Sequence, residues 1–209
     1  MSQEELNAIK QDILDHLICP LKDAATNMVF GKGNPDADIL FIGEAPGQKE
    51  DEQGIPFVGR AGQELDKQLH LIGLSLDEVY IANILKYRPP QNRDPTSEEI
   101  RNHTPYLIRQ IQVIKPKVII TLGNYATKFV LAGFNPDGMA KITGVSALHG
   151  KRITLDIEGV TYQVMPMFHP AAMMYNPKLR ESFEKDFQMV ASLLGLKGAK
   201  EKMTTLADF

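Results

Sequence analysis

Two short stretches hold most of the residues whose types and spacing could do chemistry. The first, GEAPGQKEDEQGIPFVGRAGQELD over residues 43–66, puts a glycine and proline turn directly behind the apolar run Ala37 to Ile42, then acidic residues and one aromatic. Gly43, Pro46 and Gly47 permit a tight turn with exposed backbone amides, which leaves Glu44, Glu50 and Phe57 free to meet a substrate. A carboxylate there could orient water or steady positive charge. Phe57, set in Gly-Ile-Pro-Phe-Val-Gly, offers a flat face for stacking. The second stretch, MFHPAAMMYNP over residues 167–177, puts His169 directly after another apolar run.

The elements that must position these groups read as an alternation of strands and helices. Ala37 to Ile42, Val79 to Asn83, Val118 to Leu122 and Tyr162 to Phe168 have the apolar character of buried strands. Gly59 to Leu71, Ser97 to Ile114, Tyr125 to Leu131 and Pro177 to Leu194 carry helical spacing. This pattern predicts an α/β fold of three layers, helices on both faces of a central, mainly parallel four-stranded sheet. Glu44, Asn83, Gly123 with Asn124, and His169 then fall at or just past the C-terminal ends of strands, the edge where open α/β sheets hold ligands. Singly, an Asn or His at a strand end is more often a turn or capping residue; their convergence points to a binding site.

Composition sets wider bounds. A chain of 209 residues with 43% apolar content is long enough for one covered sheet, expected as a single domain over residues 1–194 with a C-terminal tail over 195–209. No apolar run approaches a membrane span, and the charged, amphipathic N-terminus does not resemble a signal peptide. One cysteine, Cys19, rules out an intrachain disulfide and fits a cytoplasmic protein. The net charge of −3 does not advertise nucleic-acid binding, so any contact with DNA would need a local basic face. The proline- and arginine-rich segment Lys86 to Pro95 reads as an ordered loop rather than a linker.

Gly43 to Gly47, Pro56 to Gly62, Asn83 to Pro90, Asn92 to Pro95 and His169-Pro170-Ala171 together resemble the motifs of the uracil-DNA glycosylase superfamily, specifically its family four, across roughly Cys19 to Leu194. The resemblance implies an enzyme of base-excision repair that flips uracil out of DNA and hydrolyses its N-glycosidic bond, leaving an abasic site without cutting the strand. It implies a pocket of Gly43, Ala45, Glu50, Phe57 and Asn83. There Phe57 stacks on the base, the Asn83 amide reads its edge, and Glu50 excludes the methyl of thymine. His169 would hydrogen-bond a carbonyl of the departing uracil. Superfamily members of another type carry Gln-Asp where this chain has Glu44-Ala45, so Glu44 is the remaining candidate for orienting water or steadying the oxocarbenium ion.

Arg60, Lys86, Arg88, Arg93, Lys151, Arg152 and Lys178 are the candidates for phosphate binding. Met173 and Met174, with Tyr175 next, are candidates for the wedge that fills the vacated stack. Two competing readings are a glycosylase for another deaminated base, such as hypoxanthine or xanthine, and a catalytically weak DNA- or nucleotide-binding module. Asn83 favours uracil over the first, and the joint presence of Glu44, Phe57, Asn83 and His169 argues against the second.

One departure from the family pattern concerns its iron-sulfur cluster, whose cysteine positions hold His16, Cys19, Tyr87 and His103 here. A four-cysteine cluster is excluded in one chain, and three ligands with a tyrosine make a poor zinc site. Apolar packing in place of the cluster, with no metal or cofactor, is therefore expected. A monomer is expected as well. The ending Thr205 to Phe209 resembles a peptide that docks on the replication sliding clamp, with Leu206 and Phe209 as anchors.

Overall fold

A computed structural model of the chain describes residues 1–196. The proposed clamp-docking residues Leu206 and Phe209 lie outside them. The strands are β1 (Lys32–Gly33), β2 (Ile39–Gly43), β3 (Tyr80–Asn83), β4 (Val118–Leu122), β5 (Ile153–Ile157) and β6 (Val160–Met167). The helices are α1 (Ser2–His16), α2 (Pro20–Ala24), α3 (Gln48–Gln53), α4 (Arg60–Leu71), α5 (Ser97–Ile114), α6 (Gly123–Leu131), α7 (Val145–Leu148), α8 (Ala172–Tyr175) and α9 (Arg180–Leu193). Among the described residues, no helix is long and apolar enough to cross a membrane.

The sheet runs β1-β3-β2-β4-β6-β5. Its four central strands are the four read from the sequence, and every pairing among them is parallel. Two antiparallel edge strands extend it: β1 pairs with β3, and β5 forms a hairpin with β6 through Glu158 and Gly159, both at positive φ. Neither edge strand has a continuous apolar run, since β1 spans two residues and β5 alternates half-buried with exposed positions until its last residue.

All residues of β2, β3 and β4 are buried, as strands covered on both faces must be. The strand period of two divides them between two cores. Leu40, Ile42, Tyr80, Ala82 and Ile119 face α1, α2, α5 and α6. Ile39, Phe41, Ile81, Ile120 and Met167 face α4 and α9. That division is the three-layer arrangement, and it leaves the C-terminal strand ends free for the site.

The Lys86 to Pro95 loop is held in place at several points. Thr96 and Glu99 form a reciprocal capping box at the start of α5. Arg93 makes a bidentate contact with Glu99, and the Tyr125 hydroxyl donates to the Pro95 carbonyl at 2.8 Å. The loop thereby forms an ordered wall over the sheet edge.

Candidate active site

The turn after β2 depends on two glycines. A Cβ on Gly43 would stand 2.3 Å from Asn83 Oδ1 and 3.2 Å from the Phe57 ring, so the bare backbone is what lets these side chains meet behind it. A Cβ on Gly62 would stand 1.8 Å from the Phe57 carbonyl oxygen, which ties the first turn of α4 tightly to this loop. Phe57 itself sits at φ 52°, a conformation uncommon for a side chain of this size. Its ring packs against the core, lines the cavity, and has its centroid 5.9 Å from that of His169.

Asn83 ends β3 directly opposite Gly43. It is 2% exposed, yet its side-chain amide has no hydrogen-bond partner among the described residues. A buried amide left open in this way is suited to a ligand's polar edge. The cavity it lines has a volume of about 420 Å³, bounded also by Glu50, Phe57, Asn92 and His169. A second cavity of about 230 Å³ adjoins it and holds Glu44, Pro89 and Arg93. Ala45, Gly47, Asn92 and His169 line both, so the two are lobes of one cleft.

His169 stands between the lobes. Its Nδ1 accepts from the Ala171 backbone N–H at 3.3 Å, which places the ring proton on Nε2. Burial drives its pKa down to about 4, so the imidazole is neutral and can offer Nε2–H as a donor. Glu44 faces the smaller lobe. Burial first, and the charge of Asp94 second, raise its carboxyl to about 7, the range suited to a group that handles protons near neutrality.

Glu50 is not a solvated member of the acidic run. Within α3, its Oε1 accepts from the backbone N–H groups of Val58 and Gly59 at 3.0 and 2.8 Å, just ahead of α4, while the residue lines the larger lobe. A carboxylate at a helix N-terminus is well placed electrostatically, and here it also secures the Phe57 loop.

The candidate DNA contacts divide. Arg60, Lys151, Arg152 and Lys178 are exposed, with Arg152 donating to Gln163 at 2.8 Å. Arg88 donates to Asn92 Oδ1 at 2.7 Å, and Arg93 is engaged by Glu99. Lys86 requires correction: it is 0% exposed, with its ammonium inside the protein, and cannot reach a phosphate. Met173 requires the same correction. It is 2% exposed and belongs to the core, while Met174 and Tyr175 are 43% and 85% exposed. The single turn of α8 rotates successive side chains by about 100°, which turns the first inward and the next two outward.

Asn92 was not singled out from the sequence. It lines both lobes, and with Gln91 it occupies the left-handed region, at φ 55° and 56°. The signal available was an Asn two residues after a Pro-Pro pair, since Asn tolerates that region better than most side chains.

His16, Cys19, Tyr87 and His103 stand in different surroundings. His16 is 72% exposed at its side chain and pairs with Asp12 at 2.7 Å. The rings of Tyr87 and His103 pack edge to face at 6.2 Å, and His103 Nδ1 donates to the Glu99 carbonyl at 2.7 Å. Cys19 is buried, and its burial raises the thiol pKa. Among the described residues, no group of three or more His, Cys, Asp or Glu is arranged to hold a metal ion.

The chain is similar in sequence to known proteins. Residues 30–191 match the family model described as the uracil DNA glycosylase superfamily. The chain is 42% identical to a type-4 uracil-DNA glycosylase of Archaeoglobus fulgidus over 99% of both chains. It is 42% identical to one of Saccharolobus solfataricus over 93% of this chain and 88% of the relative. Against one of Thermotoga maritima the identity is 36%, over 94% and 98% respectively.

Proposed function

The chain belongs to the uracil-DNA glycosylase superfamily, and from that premise we propose how its cleft excises uracil from DNA as a monofunctional glycosylase. The observation that carries the mechanism is the pairing of an open, buried Asn83 amide with a neutral His169 across one cavity. A flipped uracil stacks on Phe57 and presents its imide edge to Asn83. Uracil offers an N–H flanked by carbonyls, whereas cytosine offers a bare nitrogen beside an amino group, so a single amide orientation satisfies the first and leaves buried polar groups unpaired with the second. Glu50 and Ala45 shape the rest of the wall.

As the glycosidic bond lengthens, negative charge collects on uracil and positive charge on the sugar. Nε2–H of His169 donates to a uracil carbonyl oxygen and, being a neutral donor, stabilises the growing charge by a hydrogen bond while keeping its proton. Glu44, in the adjoining lobe, orients the attacking water and stabilises the sugar cation. The exposed Arg60, Lys151 and Arg152, with Met174 and Tyr175, supply the contacts to DNA, and Arg88 acts through Asn92. A monomeric, cytoplasmic enzyme, with clamp docking through Leu206 and Phe209, completes the proposal on sequence grounds.

An oligonucleotide bearing one uracil tests the function directly. The expected product is an abasic site that breaks only on later alkaline treatment; strand cutting by the protein alone would remove the monofunctional assignment, and an intact uracil would remove the activity.

Glu44 sets the expected pH dependence. Its ionised form is the active one and its pKa is raised to about 7, so the single-turnover rate should climb with pH and level off above that value. One unit below, about a tenth of the groups are ionised and the rate should be about tenfold under the plateau. His169, neutral throughout this range, adds no second limb. Glu44→Gln should flatten the profile at a low rate, and an unaltered profile in that variant would take Glu44 out of the mechanism.

We further propose that the enzyme works without a metal, because His16 pairs with Asp12 at the surface and the Tyr87 and His103 rings pack against each other with His103 Nδ1 bonded to the Glu99 carbonyl, His103 Nε2 being buried and unpartnered. Purified protein should melt at the same temperature with and without a chelator. Stoichiometric iron or zinc, with a lower Tm on its removal, would reverse this.

A further inference from the structure

Lys86 has no solvent exposure, and its ammonium donates to the main-chain carbonyl of Asn83 at 2.7 Å. A buried ammonium is ordinarily matched by a carboxylate. Here burial alone lowers the pKa to about 7, with no charged partner offsetting it. The surroundings are apolar or neutral: the centroid of the Phe30 ring lies 6.0 Å from Nζ, and the nearby His103 is held neutral, its pKa lowered to about 4 by burial and further by the lysine. The lysine's own backbone is tied down, its carbonyl accepting from Val29 N–H at 2.8 Å.

The peptide group between Asn83 and Ile84 is consequently held at both ends. Its N–H, on Ile84, donates to the Gly43 carbonyl at 2.9 Å, and its C=O, on Asn83, accepts from Lys86. In a trans peptide these groups point in opposite directions, so the two bonds fix the plane against rotation and with it the direction of the Asn83 side chain. We propose that Lys86 is a positioning residue for base recognition, clamping the Asn83–Ile84 peptide together with Gly43 so that the Asn83 amide enters the cavity at one fixed angle. This rests on the uracil-reading role given to Asn83 above. An unmatched buried charge is costly, and a neutral packing residue would serve the core better. The amine donates to that carbonyl in its charged and neutral forms alike, and the bond gives the strand end a stiffness that packing does not.

The test is Lys86→Met, which keeps the length of the side chain and removes both donor and charge. Its Tm should equal or exceed that of the unmodified protein, because no isolated charge remains buried. Its single-turnover rate on uracil DNA should nevertheless fall by about tenfold or more, the usual consequence of a small misplacement in a site. Affinity for DNA should be unchanged, since Lys86 does not reach the surface. In an Asn83→Ala background the same substitution should lower the rate by less than about twofold, because the two residues act through one contact.

A full rate in Lys86→Met overturns the proposal, as does an equal loss in both backgrounds, or a rate loss that merely follows a lower Tm. If that variant does not fold, Lys86→Gln is measured in the same way, and a folded protein with full rate is again decisive against the clamp. Absence of uracil release by the unmodified protein would instead defeat the functional reading itself.

Discussion

His169→Ala is expected to slow uracil release by about a hundredfold or more, the usual cost of removing a donor aimed at charge developing in a transition state. The structure explains why no neighbour should compensate. The ring is oriented by the Ala171 N–H on Nδ1, and it stands where the two lobes of the cleft meet. The backbone that carries it is independently fixed, the His169 carbonyl accepting from Ala172 N–H at 2.8 Å, so the variant should fold normally. DNA affinity should change little while the single-turnover rate collapses. An unaltered rate would remove His169 from the mechanism.

Asn83→Asp is expected to change which base is released. The amide's N–H donor becomes a carboxylate oxygen, which suits an amino group and repels a carbonyl. Uracil excision should fall by about a hundredfold or more, the scale on which a site rejects a base that leaves its polar groups unpaired. Slow cytosine excision should appear. Parallel assays on oligonucleotides with a single uracil or a cytosine in the same context provide the measurement. Full preference for uracil in this variant would mean that another residue reads the edge.

Those parts of the fold that depend on local sequence were legible without coordinates. Val118–Leu122 is a β-branched, largely apolar stretch closed by Gly123, and Ser97–Ile114 opens on a capping pair at Thr96 and Glu99; both elements have the boundaries read from the chain. The convergence of Glu44, Asn83 and His169 was legible too, because parallel strands bring their C-terminal ends to one edge. Side-chain burial that depends on tertiary packing was not. Lys86 lies in a segment rich in surface-type residues, and nothing local distinguishes a lysine folded under Phe30 from one in water. Met173 and Met174 are neighbours of the same type that the rotation of about 100° between successive helical residues sends to different environments. Glu50 belongs to a run of charges and is brought to its partners Val58 and Gly59 only by folding.

The hydrogen-bond ladder between β2 and β3 does not stop at the site. Ile84 N–H reaches the Gly43 carbonyl and Leu85 N–H reaches the Glu44 carbonyl, at 2.9 and 3.1 Å. The main chain of residue 44 is thus part of the sheet, while its side chain projects into the smaller lobe. Such a position behaves as a socket. The frame around it is set by backbone bonds that any residue can make, so the group mounted there can be exchanged without disturbing the core. Selection can then retune the reaction or its pH range by changes at one codon, with fold stability largely outside the trade.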